Sequence, residues 1–109
     1  MALIHKKLGA GRWRALSLAE QMGNIGSEVS RALRWQGKDK KLYQGAVNRA
    51  FELLDLTLED PRWKGRLREI ARAREVFADA VNDGKEYGST LEDLIRYFDL
   101  FAFAARRNF

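Results

Sequence analysis

The sequence has no cysteine, one proline and one histidine in 109 residues. Without cysteine, neither a disulfide scaffold nor a thiolate zinc site can be built, and the usage fits a reducing compartment. His5, the single histidine, cannot make a histidine-rich metal site. It cannot furnish the Glu-x-x-His pairs of di-iron bundles either. No stretch approaches the ~18 consecutive apolar residues of a membrane span, and Met1 to Leu8 is too short an apolar run for a signal peptide. The chain therefore reads as cytoplasmic, with no membrane partner, no metal and no cofactor. No run alternates apolar and polar residues with period two, so strands are not expected.

Apolar residues make up 46% of the chain and charged residues 32%, enough for one core under a solvated surface. Residues 1–109 read as a single domain, with 1–12 a less ordered N-terminal segment. Apolar residues recur at three- and four-residue spacing in four segments, which predicts an all-α, antiparallel up-and-down four-helix bundle. The first helix is expected from Trp13 to Trp35. The second follows Asp39, an N-cap residue, and runs to Leu58. The third starts with Asp60 as cap and Pro61 at the first helical position, and Asn82-Asp83-Gly84 stops it. The fourth opens on a capping box, Ser89-Thr90-Leu91-Glu92, and runs to Arg106. The predicted core stripes are Leu18, Met22, Ile25, Val29 and Leu33; Leu42, Ala46, Ala50, Leu53, Leu54 and Leu58; Trp63, Leu67, Ile70, Phe77 and Val81; and Leu91, Leu94, Ile95, Phe98, Phe101 and Ala105. Gly23 and Gly26 stand in a row of small residues beside the first stripe. Interior helical glycines cost stability, so this row predicts close approach of another helix.

Three departures from the pattern carry functional information. On a continuous first helix, Trp13, Ser17, Asn24, Glu28, Arg31 and Trp35 share about one sixth of the wheel. Tryptophan and arginine are enriched where partners bind, so this is a recognition stripe unless the tryptophans fold over the bundle ends while Glu28 and Arg31 make a local i,i+3 pair. Arg74 lies inside the third apolar stripe. It must find a carboxylate, with Glu28 and Asp55 as candidates, or extend its head out at the bundle edge. In the fourth helix, Leu100 and Phe103 fall outside the core stripe and Phe109 adds a ring at the terminus. A homodimer contact accounts for them, or packing against Leu3, Ile4 and Leu8.

Charge is distributed unevenly. Residues 1–41 hold nine Lys/Arg against three Asp/Glu, whereas residues 42–109 hold eleven against twelve. The basic segment Arg31, Arg34, Trp35, Lys38, Lys40 and Lys41 suits RNA, with lysines on phosphates and Trp35 stacked on an unpaired base; the alternative is a solvated surface. Catalytic constellations are missing: Gly9-Ala10-Gly11 follows no strand and is no phosphate loop, and Glu52, Asp55 and Glu59 look like an ordinary polar helix face. The expected function is non-enzymatic, through self-association or a protein partner, with RNA binding as the alternative.

Asn24-Ile25-Gly26-Ser27-Glu28, followed by Ser30-Arg31, a Lys-rich loop and Ala46 to Leu54, resembles the four-helix-bundle proteins encoded in ribosomal RNA intervening sequences. The same segment, about a third of the chain, is similar to HEPN-type helical bundles. The ribonucleases among those use an arginine followed several residues later by a histidine, and this sequence has no such pair. The resemblance implies the bundle and an RNA-associated setting, and carries over no catalytic residue.

Overall fold

The computed structural model describes residues 11–107, and every regular element among them is helical. Among the described residues, a helical segment at 11–13 precedes α1 (Leu18–Trp35), α2 (Lys40–Leu58), α3 (Leu67–Val81) and α4 (Leu91–Arg107), which are joined by short connections, with a 3-10 helix at Pro61–Arg66 leading into α3. The expectations placed on Leu3, Ile4, His5, Leu8 and Phe109 lie outside the described residues, as does most of the segment 1–12. Among the described residues no helix is long and apolar enough to cross a membrane.

The first helix starts later than its apolar spacing predicts. Ser17 accepts a hydrogen bond from the Glu20 amide at 3.1 Å, and Glu20 accepts one from the Ser17 amide at 2.9 Å, which closes a capping box. The chain turns at residues 14–16, so Trp13 precedes α1 and leaves the stripe assigned to it. Its ring is buried, and Nε1 donates to Thr57 Oγ1 at 2.9 Å. The break is favoured because it lets a large ring enter the core with its polar edge satisfied.

That tie belongs to a buried polar knot at one end of the molecule. Gln21 Nε2 donates to the Trp13 carbonyl and to Asp60 Oδ2, while Gln21 Oε1 accepts from Trp63 Nε1. Arg62 grips both Asp60 carboxylate oxygens and donates to the Leu16 carbonyl at 2.8 Å. The Arg62 hydrogen bonds outweigh burial and hold the Asp60 carboxyl down at about 2. Asp60 acts as a cap, as its position suggests, but Pro61 opens the 3-10 helix and the α-helix proper begins only at Leu67. The detour brings Trp63 to Gln21.

At the other end, Thr90 and not Ser89 caps α4, accepting from the Asp93 amide at 3.2 Å. The Ser89 amide is drawn instead to the buried Asp79 carboxylate, which also accepts from the amides of Glu86 and Tyr87. Burial opposes the charge on Asp79, and these backbone donors override it, holding its carboxyl below the ordinary range.

The core gathers Met22, Ile25 and Val29 of α1 with Leu54, Ile70, Phe77, Leu91, Leu94 and Phe98. Leu42 and Leu67, assigned to it from spacing, are 46% and 39% exposed. Both stand in the first turn of their helices, while Val47, Leu56 and Thr57 are buried on α2 instead. Helix α1 packs most closely against α4 and α2. A Cβ on Gly26 would lie 2.6 Å from Phe98 Cβ, and one on Gly23 would lie 3.2 Å from Ala102 Cα, so the small-residue row is where α4 meets the α1 backbone. Arg74 Nε reaches Asp55 Oδ1 at 2.8 Å, with the guanidinium over the Phe51 ring, half exposed at the edge of the core.

Candidate functional site

The capping box at Ser17 and the turn before it place Arg12 beside the exposed side of α1, opposite the second half of α2. A groove of about 630 Å³ results, lined by Arg12, Asn24, Ser27, Glu28, Arg31 and Arg49 above a floor that includes Leu16, Leu53 and Leu56. Three guanidiniums from three segments share this lining with a single carboxylate. Glu28, whose side chain is only 14% exposed, pairs with Arg31 at 3.1 Å, one turn along α1. Arg49 pairs with Glu52 at 2.6 Å. The Arg12 side chain takes no partner among the described residues. The Ser27 hydroxyl donates to the Gly23 carbonyl at 3.3 Å. The lining offers planar cationic forks and the exposed Asn24 amide, and among the described residues it pairs no nucleophile with a base.

The basic residues singled out in the sequence are divided by the fold. Arg31 belongs to this groove, whereas Lys38 and Lys40 line a second one at the α1–α2 connection, with Asp39, Tyr43 and Asp83. Two carboxylates there offset the two lysines. The Tyr43 hydroxyl is pushed up by burial and then by Asp83, against a hydrogen bond with Gln36. Arg34 and Lys41 are exposed and Trp35 is half-buried. Of the stripe Trp13, Ser17, Asn24, Glu28, Arg31 and Trp35, the fold keeps Asn24, Glu28 and Arg31 together on the groove with Trp13 as part of its wall, and it sets Trp35 apart. Arg12 and Arg49 had no signal of their own in the sequence. Only the turn at 14–16 and the packing of α2 bring them to Arg31.

On α4, Leu100 is 69% exposed and Phe103 55% exposed, one helical turn apart. The Arg107 guanidinium stands 5.8 Å from the Phe103 ring. The face behind them is occupied: Leu94 and Phe98 are buried, and Tyr97 donates to Glu69 of α3 at 3.4 Å. Burial and then Glu69 push the Tyr97 hydroxyl up to about 12. Among the described residues, no group of three or more His, Asp or Glu side chains is gathered in a way that would hold a metal ion. No family model, curated protein or solved structure matches the chain.

Proposed function

We propose that the chain is a non-catalytic cytoplasmic protein that acts by associating with a second copy of itself through α4. Its helices form an antiparallel up-and-down four-helix bundle in this reading. The order of contacts along the helices supports that arrangement: Gly23 meets Ala102 while Gly26 meets Phe98, and Phe51 meets Phe77 while Asp55 meets Arg74. In each pair the residue numbers rise along one helix as they fall along the other.

The observation that carries the association is the exposure of Leu100 and Phe103 on a helix whose inner face is already filled. Burying a large apolar side chain is worth about 1.5–3 kcal/mol, and a two-fold axis would bury each of these twice. That gain has to exceed the loss of translational and rotational freedom, so the expected dimer is of moderate strength. Sedimentation velocity is the test. The wild type should dimerise at micromolar concentration, and a Leu100→Glu, Phe103→Glu double variant should be monomeric while retaining its helical circular dichroism. A wild type that stays monomeric at high micromolar concentration ends this reading.

A second reading, RNA binding, rests on Arg34, Lys38, Lys40 and Lys41, which are exposed and free of ion pairs among the described residues. Trp35 lies among them, and the resemblance to the intervening-sequence proteins belongs to this reading. Affinity should then fall steeply with salt, as neutralised phosphates release counterions. Trp35→Ala should weaken single strands more than duplexes. Binding that is indifferent to salt would exclude it.

A further inference from the structure

The geometry points to the Arg12–Arg31–Arg49 groove as a binding site for a phosphate ester, separate from both the α4 face and the lysine-bearing α1–α2 connection. Carboxylates saturate one or two guanidinium forks, whereas a phosphate has enough oxygens to accept from three. The lining offers three forks from three segments of chain, and only Glu28 among them is acidic. The two arginines already paired, Arg31 and Arg49, each bond a glutamate three residues along the same helix. Both guanidiniums are more than half exposed and engage their glutamates through one nitrogen, which leaves further N–H donors for an added anion. Arg12 has no side-chain partner among the described residues to give up.

The floor adds a second element of recognition. Leu53 and Leu56 are almost wholly buried and Leu16 is half-buried, so the groove is apolar beneath and cationic at its rim. At about 630 Å³ it falls within the roughly 300–1,000 Å³ of small-ligand sites. A nucleotide matches that division, with its phosphate on the arginines and its base against the leucines, and Asn24 supplies an amide that can both donate and accept. The phosphate can belong to a free nucleotide or to a nucleic acid strand, and the experiment separates the two.

Titration calorimetry at low salt with inorganic phosphate, adenosine monophosphate and a ten-nucleotide single-stranded RNA should show adenosine monophosphate binding more tightly than phosphate. Arg12→Gln removes no side-chain hydrogen bond or ion pair among the described residues, and it should weaken binding several-fold while leaving the helical circular dichroism unchanged. Arg12→Gln with Arg31→Gln should weaken it by about tenfold or more. Replacing Lys38, Lys40 and Lys41 with Gln should weaken adenosine monophosphate binding much less than the arginine double variant does, since those lysines lie off this groove. RNA that adenosine monophosphate displaces identifies a strand site; adenosine monophosphate binding without RNA binding identifies a nucleotide site. If neither nucleotide nor RNA binds at millimolar concentration, or if the arginine variants bind as tightly as wild type, the assignment is overturned.

Discussion

Gly26 has no room for a side chain. Phe98, against which its Cβ would fall at 2.6 Å, is fully buried and meets it through the atom next to the α4 backbone, so it cannot swing away. Gly26→Ala should therefore destabilise by about 1–3 kcal/mol in urea unfolding, despite alanine's better helix propensity. Gly23→Ala, with a looser approach of 3.2 Å, should cost much less. A stabilised Gly26→Ala protein would mean that α4 does not press on the α1 backbone at this point. Asp60 makes a second residue-scale prediction. Its carboxyl is held at about 2 against an ordinary 3.8, first by the Arg62 hydrogen bonds. Between these values the folded state binds fewer protons than the unfolded state, so the contribution of Asp60 is present above about pH 4 and is lost as pH falls toward 2. Stability should drop by roughly 2 kcal/mol over that window. Asp60→Asn should flatten the acid limb without abolishing it, because Asp79 is also held low.

At the scale of the element, the α3–α4 connection is organised by one carboxylate. Asp79 collects the amides of Glu86, Tyr87 and Ser89, and Gly84 at φ +68° turns the chain tightly enough for its own amide to bond the Asp79 carbonyl at 2.8 Å. Asp79→Asn puts amide protons where acceptors are required. Hydrogen exchange should then show the amides of residues 86, 87 and 89 opening much faster than in wild type, with the middle of α1 unchanged. Protection that persists at all three would remove Asp79 from this role. Helix ends show how far local reading reaches. Asp39 caps α2 at Leu42, and the stop at Asn82-Asp83-Gly84 is where α3 ends, because such residues act through backbone only a few positions away. Ser17-Leu18-Ala19-Glu20 is an equally local signature, and the apolar spacing that runs through it masks it. Ser89 fails as a cap for the opposite reason: its amide is claimed by a residue ten positions earlier.

For the whole molecule, association through Leu100 and Phe103 predicts that the melting temperature rises with protein concentration in the wild type and not in the double glutamate variant. A melting temperature independent of concentration in both would count against the dimer. The helical class and most of the core residues were legible in the sequence, because an amphipathic helix writes its buried face into a period of 3.6 residues. The outward projection of Leu100 and Phe103 follows from the same period. Tertiary structure decided the fate of Trp13, which folds back to Thr57 forty-four positions away, and the exposure of Leu42 and Leu67 at helix ends. It decided as well which carboxylate Arg74 would reach, since Asp55 is close only once α3 lies against α2 and Glu28 is held by Arg31. The groove of Arg12, Arg31 and Arg49 is a feature of this second kind. Periodicity says which way a side chain faces on its own helix, but the distance between side chains on different segments is set only by how those segments pack.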